Sequence, residues 1–260
     1  MNTEICQVPS TGVVARVRKF ALRYAATPFH PQWFSFKTKV RATERAAVTA
    51  TGIVLDVGCG NATIRSHLPA HCTYVGLDYP ATGKAWYGAQ PEVYGDARAL
   101  PFRSNSVDRV LLLDVLEHLT EPELSLQEAF RVLAAKGQLL INIPCLYPLH
   151  DEPRDYQRFT EHGLRRRLMD AGFVDINVEA CGAPVETAAL LLNIALSKWA
   201  ADMVRVTPLG LLLVWPLVAL IPLVNLAARA VGLVTRGDRF MPYAYFVECA
   251  KPSIDAVSSA

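Results

Sequence analysis

Short apolar runs alternate with helix-compatible stretches through most of this 260-residue chain, and that alternation limits the fold more than any other feature. Ile53–Val57, Thr73–Leu77, Val107–Leu113, Gln138–Ile143, Val174–Glu179 and Tyr243–Cys249 read as strands, because they are short, rich in Val, Ile or Leu, and bounded by turn residues. A helix-compatible stretch follows Gly58 and runs to Leu68, and Glu123–Leu133 and Thr160–Ala171 carry helical patterns. Thr160 is placed to cap the last of these and Gly172 to end it, while Gly163 in the first turn weakens it. Strands and helices in alternation assemble a mostly parallel sheet with helices on both faces.

Composition adds one constraint. The chain is 52% hydrophobic and 19% charged, against roughly 45–50% and 25% in an average soluble domain. The excess has a place: no charged side chain stands between Arg205 and Arg229, and LGLLLVWPLVALIPLV is the most apolar stretch. A net charge of +2 lacks the concentrated basic face of a nucleic-acid binder, and the run Arg165, Arg166, Arg167 points in three directions on a helix. No nucleic-acid partner is expected. Six cysteines stand far apart, with no Cys-x-x-Cys and no Cys–His pair at ligand spacing, so reduced thiols and no metal site are expected. The N-terminus has no apolar stretch ahead of Arg16, Arg18 and Lys19, which fits a cytoplasmic chain.

The chemistry begins at LDVGCGNAT, where a strand runs into Gly58-Cys59-Gly60 and lets backbone approach a ligand closely. A dinucleotide loop needs a third glycine, and Thr63 stands there instead. Asp56, just ahead of the glycines, would repel a pyrophosphate and suits an ammonium group. Asp78 closes the second strand in GLDY, where a carboxylate can accept both ribose hydroxyls, with Tyr79 beside it able to pack on the sugar or base. Asp96 follows in GDARALPF, ahead of the polar turn at 103–106.

The segments LDVGCG, GLDY, GDARALPF, SVDRVLLLDVLEHL and LAAKGQLLINIP, in this order, resemble the successive motifs of class I S-adenosylmethionine-dependent methyltransferases, particularly the methyltransferase-11-like group, over roughly residues 50–180. The fold then expected is α/β: a Rossmann-like, doubly wound, mostly parallel seven-stranded sheet with an apolar helical insertion before the last strand. The resemblance implies S-adenosyl-L-methionine as cofactor. It implies that Asp56, Gly58 and Gly60 surround the methionine end with backbone from Cys59, that Asp78 binds the ribose, and that Asp96 with Ala97 meets the adenine amine. Asp114 and Val115 would border the sulfonium, with His118 in the turn that follows. Residues 1–50 are expected as a helical lid, 51–182 with 240–252 as the cofactor domain, and 183–239 as the insertion.

After Pro144 comes CLYPLHDEPRDYQRFTEHGL, a loop at the C-terminal end of a parallel strand, where open α/β sheets place ligands. The resembling group often has an H-x-x-P-x-D-Y-x-R-F-T segment here, matched by His150, Pro153, Asp155, Tyr156, Arg158, Phe159 and Thr160. His150 is the first candidate base or acceptor-orienting group, with Tyr147 and Tyr156 behind it, and a structural Asp155–Arg158 pair that locks the loop is the competing reading. Methyl transfer from a sulfonium needs alignment and exclusion of water, and a base only for some acceptors. The acceptor expected is a small molecule or a lipid-linked one.

The uncharged stretch 206–228 is long enough for the roughly 20 residues of a bilayer span. A strand at 243–249 that rejoins the sheet requires both ends of the insertion on one side of a membrane. An even number of crossings, a re-entrant hairpin broken near Pro216 and Pro222, helices lying in the interface of the inner membrane face, or a soluble subdomain buried against the core or a twin subunit all meet that requirement. Two rival functions stand beside methyl transfer: a nicotinamide-dependent oxidoreductase, which Asp56 and Thr63 oppose, and a non-catalytic S-adenosylmethionine-binding scaffold.

Overall fold

The computed structural model describes residues 24–83, 90–207, 210–235 and 239–253. The first part of the N-terminal segment, including the basic cluster and Cys6, and the last residues of the C-terminal tail lie outside them. The chain divides into two compact units, one of Lys39–Cys145, Leu149–Cys181 and Ala244–Ala260, the other of Met1–Thr38, Leu146–Pro148 and Gly182–Tyr243.

The first unit is built on seven strands: β1 (Ile53–Val57), β2 (Thr73–Asp78), β3 (Val93–Tyr94), β4 (Val107–Leu113), β5 (Leu133–Pro144), β6 (Val174–Cys181) and β7 (Ala244–Ala250). Their order across the sheet is β3-β2-β1-β4-β5-β7-β6. Every neighbouring pair from β3 to β5 is parallel, and β7 runs antiparallel between β5 and β6. The chain leaves β1 toward one edge and returns at β4 to build the other half. That reversal, with Val57 level with Leu77 on one side and Leu112 on the other, opens a crevice at the C-terminal strand ends.

Burial alternates along the central strands. Leu55, Val57, Val110, Leu112, Leu139 and Ile141 pack into the core on one face, and Val54, Leu111, Leu140 and Phe246 into a second core on the other. Helices cover both: α1 (Trp33–Val48) sends Ala42 and Ala46 into the second core, and α2 (Pro122–Val132) sends Leu126, Ala129 and Val132 into the first. Arg109 is only 3% exposed in the middle of β4. Its guanidinium donates to the carbonyls of Ala46 (2.6 Å) and Thr49 (2.8 Å), so it closes the C-terminus of α1, where carbonyls lack helical partners. Lys251 does the same beyond α2, donating to Phe130 and Leu133 carbonyls at 2.7 and 2.8 Å.

Helix α3 (Glu161–Asp170) starts as expected, with Thr160 Oγ accepting from the Gly163 amide at 3.1 Å. It ends at Gly172, φ 96°, with the Phe173 and Gly172 amides turned back to Leu168 and Met169. Arg165, Arg166 and Arg167 have separate partners in the Ile176 carbonyl, Asp170 and Glu123.

Two expectations are corrected here. The stretch after Gly58 is not a helix to Leu68 but a five-residue 3-10 turn, Thr63–His67. Gly58, Gly60 and Ala62 all adopt left-handed backbone (φ 74°, 50° and 51°), which loops the chain instead of feeding it into a helix. The strand at 138–143 begins earlier, at Leu133, which pairs with Val107 directly after α2.

In the second unit, α4 (Pro184–Val206) and α5 (Leu211–Val234) form the apolar insertion between β6 and β7. Glu186 accepts from the Ala183 amide at 3.0 Å, which satisfies one N-terminal donor, and takes an ion pair from Arg229 at 2.9 Å. Asn225 is fully buried; its Nδ2 donates to the carbonyls of Pro28 (2.7 Å) and His30 (3.1 Å) while its Oδ1 accepts from Asn193 (2.9 Å). Of the alternatives for the insertion, a hairpin broken near Pro216 and Pro222 does not form, because both prolines sit inside the continuous α5. The turn falls instead between the two helices. Leu212, Trp215, Val218, Leu223 and Leu226 are each more than half exposed along α5.

Candidate functional site

The glycine loop is tied down from below. The amides of Gly58 and Cys59 both donate to the Leu77 carbonyl, at 2.8 and 3.1 Å, so the loop crosses the end of β2. Gly58 could not carry a side chain there: a Cβ would lie 2.6 Å from Val115 Cγ2, in a backbone conformation that already favours glycine. Asp78, 6% exposed, accepts from the Gly60 amide at 2.8 Å and from the Tyr79 amide at 2.7 Å. A carboxylate has about four acceptor positions, and the described residues use two of them. Tyr79, 41% exposed, lies under the Arg154 guanidinium at 5.6 Å from its ring centre.

Asp56 is buried at the end of β1, with one hydrogen bond among the described residues, from the Tyr74 hydroxyl at 2.9 Å. Burial pushes its carboxyl up to about 6; Tyr74 opposes that shift, and the charges of Asp78 and Glu92 add to it. Burial also raises the Cys59 thiol to about 12, so this cysteine contributes backbone and bulk rather than a thiolate.

A cavity of about 150 Å³ opens between these strand ends, lined among others by Asp56, Gly58, Cys59, Asp114, Lys39 and Asn142. Asp114 takes a left-handed backbone, φ 58°, as β4 ends. Its carboxylate receives Lys39 Nζ at 2.6 Å and Asn142 Nδ2 at 2.7 Å. Sequence reasoning did not single out Lys39 or Asn142. An asparagine in the otherwise apolar end of β5, LLINIP, is the one signal that pointed there; Lys39 gave none.

Other expected residues lie apart from this cavity. Both oxygens of Asp96 are held by Arg98, at 2.8–3.2 Å, which lowers the carboxyl below its ordinary range. Ala97 is buried beside it. His118 and His150 come together, ring centres 4.9 Å apart, but neither lines the cavity. His118 Nδ1 donates to the Arg154 carbonyl at 2.8 Å, and His150 Nδ1 lies 3.2 Å from Asp155 Oδ2. Between the two rings sits the Glu117 carboxylate, fully buried, 3.8 Å from His118 Nε2 and 3.7 Å from His150 Nε2. Burial raises the Glu117 carboxyl. Burial alone would lower His150, but Glu117 and Asp155 outweigh it and raise the imidazole. The Asp155–Arg158 pair is present (2.6 Å to Oδ2), and the Tyr156 amide donates to the Glu117 carbonyl at 2.9 Å, so the loop is strapped to the 3-10 turn Leu116–His118. The Tyr156 side chain is 51% exposed, and Tyr147 belongs to the other unit.

A β3-β2-β1-β4-β5-β7-β6 sheet with an acidic glycine loop at its reversal point and a carboxylate at the end of β2 is the frame of a Rossmann-like, nucleoside-binding methyltransferase domain. Comparison with known proteins agrees: residues 55–141 match the methyltransferase domain family. Two probable S-adenosylmethionine-dependent methyltransferases of Mycobacterium tuberculosis, from strains CDC 1551 / Oshkosh and H37Rv, are each 29% identical over 140 residues, which is 50% of this chain and 50% of theirs. The chain thus spans about half the length of the curated relatives it matches. Among solved structures, an S-adenosylmethionine-dependent methyltransferase from Archaeoglobus fulgidus superposes with a TM-score of 0.53 at 16% identity, covering 90% of this chain and 99% of that one. The [4+2]-cyclase SpnF gives 0.53 at 16% identity over 84% and 80%. Over residues 55–141 the chain is thus similar to the class I S-adenosylmethionine-dependent methyltransferases of the methyltransferase-11 group. The cyclase on the same fold shows that architecture does not by itself fix the reaction.

Proposed function

We propose that this chain transfers the methyl group of S-adenosylmethionine to a small-molecule or lipid-linked acceptor. The observation that carries the reading is the buried, largely unshared carboxylate of Asp56 beside a left-handed glycine loop at the strand reversal. A phosphate-bearing dinucleotide gains nothing from that charge, whereas the ammonium of a methionyl group does. The Lys39–Asp114 pair across the same cavity offers one charge of each sign. The zwitterionic amino-acid end can exchange partners with it, its carboxylate toward Lys39 and its ammonium toward Asp56 and Asp114. The cavity is smaller than the roughly 300–1,000 Å³ of a small-molecule site, so the adenosine half extends along Asp78 and Tyr79. Asp96 reaches the adenine amine only by sharing its oxygens with Arg98.

In the transfer step the acceptor's lone pair forms a bond to the methyl carbon as the carbon–sulfur bond breaks. The bonding pair stays on sulfur, and the cation becomes neutral S-adenosylhomocysteine. If the acceptor carries a proton, it leaves to solvent or to a base. His150 is the candidate acceptor-orienting group, with Tyr156 in the same loop and His118 facing it.

The lipid-linked alternative rests on α5. Val214–Val234 is long and apolar enough to cross a membrane, yet one crossing would separate β6 from β7, which are neighbours in one sheet. Helix α4 carries Lys198, Asp202 and Arg205 and is a poor second span. The pair therefore fits an interfacial seat, with Trp199 49% and Trp215 76% exposed. Incubation with S-adenosylmethionine labelled in its methyl group, alongside the soluble and lipid fractions of the source cell, tests the proposal. Label in the lipid fraction is the expected result; label confined to the soluble fraction removes the lipid-linked acceptor, and none in either contradicts the activity.

A further inference from the structure

We propose that Glu117, His118 and His150 form a binding site for one divalent transition-metal ion, zinc being the best match to the donor set. This goes against the expectation from cysteine and histidine spacing, because the third ligand comes from a loop more than thirty residues away in sequence. One carboxylate oxygen and one nitrogen of each ring lie within 4.8 Å of one another.

The independent observation is Glu117 itself. Its side chain is 0% exposed, and neither of its oxygens has a hydrogen-bond partner among the described residues. A buried carboxylate is costly unless something compensates it. The two imidazoles face it, but at 3.7 and 3.8 Å they stand beyond hydrogen-bond reach. A metal ion fits such a gap better than a proton does. Ligands about 2.0–2.1 Å from a zinc ion lie a little over 3 Å apart in a tetrahedral site, so small rotations of the two rings complete the sphere.

The outward nitrogens support this. A carbonyl can only accept, so the 2.8 Å contact to Arg154 fixes the proton of His118 on Nδ1 and turns the Nε2 lone pair toward Glu117. His150 Nδ1 lies 3.2 Å from Asp155 Oδ2 and 3.4 Å from Arg158 Nη2, and Asp155 is itself held by Arg158, so the ring is braced from behind with Nε2 on the Glu117 side. Metal-binding histidines regularly donate their other N–H to a carbonyl or carboxylate, which orients the ring and raises its basicity. Asp155 and Arg158 are thus positioning residues. Two imidazoles and one carboxylate select zinc, iron, cobalt, nickel or manganese over magnesium or calcium. The side chains of His118 and His150 are 19% and 24% exposed, which leaves a coordination position open to a water or an acceptor oxygen.

This site lies three to four residues beyond Asp114, and its use on the acceptor rests on the methyl-transfer reading; the binding of metal does not. The experiment is a titration of chelator-treated full chain with zinc sulfate by calorimetry, repeated with cobalt(II) chloride and read from the visible ligand-field bands. One ion per chain is expected, weakened about 10- to 100-fold by Asp155→Asn and further by His118→Ala or His150→Ala. The cobalt bands should shift in Asp155→Asn, which a merely structural role would not cause. Circular dichroism checks that each variant is folded. No stoichiometric binding by the wild-type chain overturns the proposal, and so does binding that survives the loss of both histidines. S-adenosylmethionine titrated in parallel separates that failure from a failure of the methyltransferase reading.

Discussion

Replacing Asp56 with asparagine should make the protein more stable and unable to hold its cofactor. The carboxyl ionises in the unfolded chain near its ordinary value of 3.8, but in the fold burial holds it up at about 6. Between those values the folded state keeps a proton that the unfolded state has released, so stability falls as pH rises through the window. Above about pH 6 the whole penalty stands. About two pH units at roughly 1.36 kcal/mol each is about 3 kcal/mol. The buried amide of an asparagine forfeits roughly 1 kcal/mol of this through its own lost hydration, while its oxygen still accepts from Tyr74. Asp56→Asn should therefore gain about 2 kcal/mol at pH 8, a few degrees in Tm for a chain of this size, with the gap shrinking toward zero by about pH 4.5. Urea unfolding of both proteins at several pH values measures it. A gap of the same size at pH 8 and pH 5, or a variant less stable at pH 8, would refute the claim that this carboxylate is held at a cost for binding.

Three other outcomes follow from the same geometry. Gly58→Ala places a methyl group 2.6 Å from Val115 Cγ2 at φ 74°, and should cost about 1–3 kcal/mol in thermal unfolding as well as cofactor affinity. Asn225→Ala strips the donors from the Pro28 and His30 carbonyls and the acceptor from Asn193, for a loss of about 2–3 kcal/mol; a change within experimental error would show that this buried network is not needed. The full chain should co-sediment with vesicles of phosphatidylethanolamine and phosphatidylglycerol, and Trp215→Asp with Leu223→Asp should abolish that; a wild-type chain that stays in the supernatant as a dimer assigns the apolar face to a second copy.

Much of the sheet was legible because its strands obey one rule. β1 and β4 fall on the expected residues, since strands buried on both faces read as mostly apolar runs between turns, even with Asp56 in one and Asp108 and Arg109 in the other. β3 was not, as two residues, Val93–Tyr94, carry no period. The helix expected after Gly58 failed because periodicity was weighed without the backbone: three left-handed residues, Gly58, Gly60 and Ala62, interrupt any helix there. At the site, Asp56, Gly58 and Asp78 announced themselves by their place at strand ends. Lys39 and Asn142 did not, for they meet Asp114 only when α1 and β5 are brought beside β4. The Asp155–Arg158 lock was one of two readings of the loop, but the Glu117 carboxylate facing two rings was not foreseen, because it depends on how the loop after β5 folds back on the turn after β4.

The most direct test of the account is calorimetric titration of the purified chain with S-adenosylmethionine and S-adenosylhomocysteine, beside an Asp78→Ala variant. One site per chain in the wild type, weakened at least about tenfold when the Asp78 carboxylate is removed, is the predicted result. A folded wild-type chain that binds neither nucleoside, or that binds them equally well without the Asp78 carboxylate, would contradict the placement of the cofactor at the reversal between β1 and β4.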